Sequence, residues 1–450
     1  MNYEKKEIKK GIDIHNISTN KYKTNLYAVF LATPINRENV TKNALMTAIL
    51  RRGSQNLQSQ DIISKKLEEM YGASFDCGID KTGDNHIMKF YLEAISEEFL
   101  PEKEELAKKC IEILLDIIFN PLIENNGFKD EYVESEKNNL KQIIESKIDN
   151  KRTYSLERCV EEMFKDEPYG LYKYGYVEDL DKLTPQNLYE YYKELINQCK
   201  IDIFVSETMA DVADDVTAKI VGTNSTEDNT KRSEMAREKI NNIIEQNDII
   251  KTLKEREPVY VKSDENNNHK EVEQEKVVEE HMQVGQGNLV IGLKVNSNKE
   301  NAKYITSVYN AILGGGANSK LFQNVREKES LAYTAASNYR RQKNVIFIRC
   351  GIEIENYKKA IDTIKVQLED IKSGNFTEED LNNSKKLIIE SIRGISSEQD
   401  TEITYYYGQE LSNKLVSLEE YVKKIEKVTK KDVEEIANEI RIDTIYFLRD

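Results

Sequence analysis

The chain has 450 residues, 39% hydrophobic and 32% charged, with a formal net charge of −15. That length exceeds one ordinary core, so two or more domains are expected. The acidic balance argues against a general binder of nucleic acid or anionic membrane, and no run approaches the roughly 20 apolar residues that a membrane span needs.

Residues 11–17 and 22–31 are rich in β-branched and aromatic residues and read as two strands. Residues 44–50 form a buried helix that stops at Gly53. Residues 58–70 form an amphipathic helix with Ile62, Ile63, Leu67 and Met70 on one side. Strands at 74–79 and 86–92 are joined by a polar turn. Helices follow over 102–119, 132–148 and 156–164. Thr184 then caps a helix with proline at its first position, running to about residue 195. A short strand at 201–205 and a closing helix at 212–221 complete the half. Antiparallel hairpins with helices packed on them make an α+β domain over residues 1–222.

Residues 223–276 are dominated by Asn, Asp, Glu, Lys, Ser and Thr. They read as a charged interdomain linker with a partly ordered insert. Within it Ile240, Ile243, Ile244, Ile249, Ile250 and Leu253 fit one amphipathic helix, with a partner-binding helix as the alternative use.

Residues 277–450 repeat the pattern. A strand at 288–295 and a helix at 304–313 lead into a distinctive stretch, Leu313 to Tyr333. It starts with Gly314, Gly315 and Gly316. It continues as a helix with Leu321, Phe322 and Val325 at helical spacing, capped by Asn318 or Ser319. It ends with Arg326 and Tyr333, seven residues apart. A strand at 345–354, a helix at 357–371, a capped helix from Thr377, helices starting at Ser417 and Thr429, and a strand at 442–447 close the chain. The order mirrors the first half, and the helix start at Thr184 is echoed at Thr429. Two copies of one architecture are expected.

The five cysteines (Cys77, Cys110, Cys159, Cys199 and Cys350) are scattered and form no CxxC pair. They suggest a reducing compartment, and neither a disulfide framework nor a zinc knuckle. Residues 1–7 are charged with no apolar segment behind them. No signal peptide is read there, and a cytoplasmic protein is expected.

The stretch from Leu313 to Tyr333 resembles the C-terminal half of the insulinase-like (pitrilysin, M16) metallopeptidases. That family reads L-G-G-G, then S-R/K-L-F, then R-E-K, then L-A/G-Y. Asn120-Pro121-Leu122, Pro168-Tyr169-Gly170 and the helix starts at Thr184 and Thr429 look like further family positions. The resemblance therefore runs along nearly the whole chain except its charged middle. It implies two homologous α+β domains that form a clam-shell.

The family carries zinc on an inverted H-x-x-E-H helix, with the two His and a later Glu as ligands and the first Glu as general base. The matching positions here are Ala44, Thr47 and Ala48, and the later ligand falls near Ile143, with Gln142 and Glu145 beside it. Alanine has no donor atom and threonine is no general base, so no metal is expected in this chain. His15, His86, His269 and His281 do not form a replacement pair. The family's Arg–Tyr pair, by contrast, is matched by Arg326 and Tyr333. The resemblance implies that these reach towards substrate near a zinc, where a guanidinium and a phenol hydrogen-bond a peptide and stabilise an oxyanion. Gly314, Gly315 and Gly316 are the accompanying substrate-binding positions. The plainer alternative is helix packing, with Arg326 paired to Glu329 one turn on.

The expectation is a zinc-less subunit of a two-chain peptidase, as in bacterial members. A zinc-bearing M16-like chain would be its partner, and a peptide or unfolded polypeptide its substrate. The alternatives are a non-catalytic peptide-binding or scaffold protein, and a self-contained peptidase with unrecognised ligands.

Overall fold

The structure is a computed structural model that describes residues 3–102, 104–208, 225–262, 272 and 274–450. The chain divides into two compact units: Met1–Ile144 with Lys173–Val261, and Glu145–Tyr172 with Lys262–Asp450.

The strands of the first unit are β1 (Tyr3–Lys9), β2 (Ile12–Thr19), β3 (Thr24–Pro34), β4 (Ser74–Thr82), β5 (Asn85–Ile95), the short hairpin β6 (Ile123–Glu124) and β7 (Gly127–Phe128), and β8 (Lys200–Thr208). Six of them form a sheet in the order β1–β2–β8–β3–β5–β4. Most neighbours are antiparallel, but β2 and β8 run parallel. β3 is apolar almost throughout because it lies centrally and is buried on both faces. Its Tyr27, Val29 and Leu31 share a core with Leu45 and Ile49 of helix Val40–Leu50, Leu114 of helix Leu106–Phe119 and Leu188 of helix Pro185–Gln198. The last of these starts with a capping box between Thr184 and Asn187, as its sequence predicts.

The apolar stripe of the middle segment is turned inward. Helix Ser225–Gln246 and the short helix Asp248–Thr252 bury Ile240, Ile244 and Ile250 in the first unit's core. The expected single helix breaks at Asn247, whose extended backbone and side chain cap the second one. Beyond it the chain is tied down like a strap. Lys9 Nζ donates to the carbonyls of Ile250, Lys251 and Leu253, each at 2.8 Å. The Arg256 amide donates to Lys10 O at 3.1 Å and the Val259 amide to Gln198 O at 2.8 Å. The face that could have served a partner is therefore taken up by the chain itself, and residues 233–261 belong to a folded unit. The helix expected over 212–221 lies outside the described residues, as does His269.

The second unit contains β9 (Lys276–His281), β10 (Gly287–Val295), β11 (Ala332–Arg340), β12 (Val345–Ile352) and β13 (Ile440–Arg449), in the order β11–β12–β10–β13–β9. Read from the other end, β9–β13–β10–β12–β11 repeats β2–β8–β3–β5–β4. The parallel pair falls in the same place. Helix Ala302–Gly314 follows β10 as helix Val40–Leu50 follows β3. The duplication expected from element order is thus present in the topology.

One feature cuts across the sequence halves. Residues 145–172 belong to the second unit. Along β10, Leu289, Ile291 and Leu293 face the unit's main helical core, while Val290 faces the other way. On that opposite face Leu156, Val160, Met163 and Phe164, from and just after helix Lys151–Met163, pack with Val290, Val345, Phe347, Tyr446 and Leu448. Glu280 anchors the arrangement. It accepts from Tyr154 Oη at 2.5 Å, Arg158 Nε at 3.0 Å and Tyr446 Oη at 2.8 Å.

Candidate functional site

Helix Val40–Leu50 carries the positions of the missing zinc motif and holds no donor set for a metal. Ala44 is packed into the core with Leu45 and Ile49. Thr47 Oγ1 is spent on the Asn43 carbonyl, at 2.8 Å, and Ala48 is half-buried. The polar group beside them is Asn43, which is fully buried. Its Oδ1 accepts from Tyr191 Oη at 2.8 Å, and its Nδ2 lies 3.2 Å from His86 Nδ1. His86 Nε2 lies 2.8 Å from Lys173 O. A carbonyl only accepts, so Nε2 carries the proton and Nδ1 accepts from Asn43. The relay Tyr191–Asn43–His86–Lys173 is neutral and closed on itself.

Burial pushes the His86 pKa down to about 3, against the pull of the Lys173 carbonyl. The unfolded chain titrates this group near 6.5, so between about 6.5 and 3 it binds a proton that the folded chain refuses. Stability is therefore expected to fall as pH drops through that window. Urea unfolding at about pH 6.5 and 4.5 should show a loss about 2 kcal/mol larger for the native chain than for His86→Gln. Equal losses would mean that His86 is not held neutral.

Near the expected third ligand, Ile143 is exposed, and Gln142 and Glu145 lie with it in the last turn of helix Asp130–Glu145. The buried carboxylate of that helix is Glu136, which accepts from Arg52 Nη1 at 3.1 Å. It faces a cation already.

Gly314 and Gly315 sit where a side chain would clash with the backbone around them. At Gly314, where helix Ala302–Gly314 ends, a Cβ would stand 2.5 Å from the Ser337 amide nitrogen, so only glycine lets the helix end abut β11. Gly315 is pressed against its own helix at Ala311, and Gly316 has only Leu387 nearby, at 3.3 Å. Leu321–Lys328 is helical, with the wider π-type turn, and buries Leu321 and Val325. Arg326 points outward, its guanidinium 4.5 Å over the Phe322 ring and its Nε 3.6 Å from Glu327. Glu329 is taken by Lys359 at 2.9 Å, so the Arg326–Glu329 pair weighed from the sequence does not form.

A bond from the Leu331 amide to Val325 O, at 2.9 Å, closes the turn between this helix and β11. It sets Arg326 and Tyr333 at the two ends of one turn. The register of β11 against β12 slips between Ala332 and Thr334. Such a bulge re-aims a side chain, and Tyr333 is 60% exposed. Its hydroxyl donates to Glu353, whose hydrogen bond and charge raise the phenol pKa. The phenol stays protonated, with its one proton turned to Glu353.

A buried cluster escaped the sequence reading. Asp13 of β2 pairs in register with Asp202 of β8. Lys200 Nζ lies 2.8 Å from Asp13 Oδ2 and 2.7 Å from Asp202 Oδ1. His15 Nε2 donates to Asp202 Oδ1 at 2.8 Å, and its Nδ1 accepts from Tyr3 Oη at 2.7 Å. Burial alone would raise the Asp202 pKa. The Lys200 ammonium and His15 outweigh it and hold the carboxyl well below the usual range. Asp13, His15 and Asp202 are the one trio with metal-ligating geometry among the described residues. The Lys200 ammonium bridges the two carboxylates, where a metal would have to sit. The signal was legible in principle, as Asp13-x-His15 and Lys200-x-Asp202 each put two polar residues on one face of a buried strand.

Residues 215–388 match the family described as "Peptidase M16 inactive domain". Over 447 residues the chain is 31% identical to the "Probable inactive metalloprotease YmfF" of Bacillus subtilis (strain 168), covering 98% of this chain and 96% of that protein. Among solved structures, a conserved protein from Enterococcus faecalis V583 matches with a TM-score of 0.85 at 25% identity, over 100% of this chain and 99% of that one. The peptidase M16 inactive domain from Pseudomonas fluorescens shares the fold, with a TM-score of 0.74 at 15% identity, over 100% and 98% of the two chains.

Proposed function

The chain belongs to the M16 peptidase family as an inactive metallopeptidase homologue, and from that premise we propose that it is the non-zinc-binding subunit of a heterodimeric M16-like peptidase. The observation that carries this reading is an asymmetric loss. The helix that would hold zinc is closed by its own neutral hydrogen bonds, while Arg326 and Tyr333 are exposed and free of the core. A zinc-bearing M16-like chain would be the partner, and this chain would contribute half of a substrate chamber.

The partner's zinc would supply an activated water. The work of this chain would be done by its own donors. The protonated Tyr333 hydroxyl, turned away from Glu353, would donate to a carbonyl oxygen of a bound peptide, and the Arg326 guanidinium would offer charge-assisted hydrogen bonds as negative charge develops there. The substrate class proposed is a peptide or unfolded polypeptide. A cytoplasmic setting belongs to the same proposal, and no helix among the described residues is long and apolar enough to cross a membrane.

The test compares peptide hydrolysis by this chain, by the zinc-bearing chain, and by the mixture. The mixture is expected to exceed the sum of the separate rates by at least about a hundredfold, the lower end of what one preorganised oxyanion donor contributes. No gain on mixing would sink the reading. The second reading, a non-catalytic peptide-binding or scaffold protein of the M16 fold, is favoured by the description of the Bacillus relative as inactive. Its function would survive the loss of the Tyr333 hydroxyl.

A further inference from the structure

Three arginines of the second unit are gathered without a carboxylate. Arg349 lies on β12 two residues beyond Phe347, hence on the face shared by Val345 and Phe347. Arg340, at the end of β11, pairs across the ladder with Val345, and cross-strand partners share a face. Arg152 is the second residue of helix Lys151–Met163, which packs on that same face. Burial is the first cause of a lowered Arg349 pKa, and the like charges of Arg152 and Arg340 add to it, so each of these two repels Arg349. Among the described residues no carboxylate is paired with any of them.

The gap is out of keeping with the rest of the chain, which has 80 acidic residues against 65 basic ones. Less than two turns further along the same helix, Arg158 meets Glu161, Glu162 and Glu280. Acids were available, yet among the described residues none is placed at Arg152, Arg340 or Arg349. The arrangement also works against the fold. A guanidinium stays charged at any working pH, so the repulsion is permanent. A cation in the first turn of a helix faces the positive end of its dipole.

A planar guanidinium cluster of this kind is complementary to carboxylates, which it binds in a two-pronged way. Exposed Asn338 and Thr334 lie on the same face of β11, opposite Phe347 and Gly351, and add neutral donors along it. A long polyanion such as nucleic acid would be repelled by the net charge of −15. A short segment carrying a few carboxylates would not.

We propose that this face of the second unit recognises the side-chain carboxylates of an acidic peptide segment, through Arg152, Arg340 and Arg349. The inference rests on the reading of this chain as a peptide-handling subunit and names the kind of peptide.

The test uses the full chain alone. A fluorescent peptide of about a dozen residues carrying Asp and Glu is compared with its Asn and Gln counterpart by anisotropy. The acidic peptide is expected to bind at least about tenfold more tightly, and Arg152→Gln with Arg340→Gln together should abolish that preference. Both replaced side chains are exposed, and relief of repulsion should leave the thermal midpoint unchanged or higher. Equal binding of the two peptides, an unchanged preference in the double variant, tighter binding of an RNA oligonucleotide than of the acidic peptide, or a lowered thermal midpoint would each overturn the proposal. Failure of the mixing experiment would sink the subunit reading and leave this binding result standing, because no partner enters it.

Discussion

Replacing Tyr333 by phenylalanine is expected to lower peptide hydrolysis by the mixed subunits about a hundredfold, the scale of losing one preorganised oxyanion donor. The expected loss is in kcat at nearly constant KM, because the hydroxyl matters more as charge develops than in the bound ground state. The ring and its bulge stay, since only the oxygen that donates to Glu353 is removed. Complex formation, followed by light scattering, should be unchanged. Arg326→Ala should act in the same direction but with a broader effect, because it also removes the stacking over Phe322 at 4.5 Å. Arg326→Lys separates the two contributions, as it keeps charge and loses the planar fork. Unchanged turnover in Tyr333→Phe would turn the choice towards the scaffold reading.

The second large effect is on stability. Lys200→Met is expected to destabilise the first unit by about 3–5 kcal/mol, the usual cost of removing one partner from a buried ion pair. Lys200 bridges Asp13 and Asp202, both nearly inaccessible. Lys5, 2.9 Å from Asp13, would compensate only that carboxylate. Asp202 would keep His15 as its remaining partner. Urea unfolding at neutral pH measures the loss. The double variant Lys200→Met with Asp202→Asn should recover part of it, because the uncompensated charge is then gone. A loss below about 1 kcal/mol would show that water reaches the cluster, as at exposed pairs.

Much of this fold could be read from local rules. The threonine caps at Thr184, Thr377 and Thr429 all form capping boxes, because the signal needs only four adjacent residues. The duplication was visible because element order survives where sequence identity does not. Three features lay beyond such rules. β1 was missed because its outward residues Glu4, Lys5 and Lys6 show no apolar alternation, as suits an edge strand. The stripe of Ile240, Ile244 and Ile250 announced an apolar face but not what covers it. Composition argued for a linker with a partly ordered insert, and residues 233–261 of it pack on the first unit. Tyr333 could be singled out from the sequence by its match to a family position, yet the bulge that turns it outward depends on how β11 pairs with β12. Arg152 and Arg349 drew no notice for the same reason, since their neighbourhood exists only once residues 145–172 lie on the second sheet.

That placement of residues 145–172 has a consequence for how the protein is made. During synthesis helix Lys151–Met163 leaves the ribosome long before β12 and β13 exist, with Leu156, Val160 and Met163 awaiting their partners. The first unit is likewise incomplete until residues 233–261 have emerged and closed over it. Neither unit is therefore a stretch of chain that folds as it appears, and the long sequence separations predict slow folding with exposed apolar surface on the way. A cut in the middle segment would not yield two domains. It would leave the C-terminal fragment with Val290, Val345, Phe347 and Tyr446 bare on an open sheet, a surface prone to aggregate. The two halves of this gene are inseparable at the level of the polypeptide, however plainly they are copies of one another.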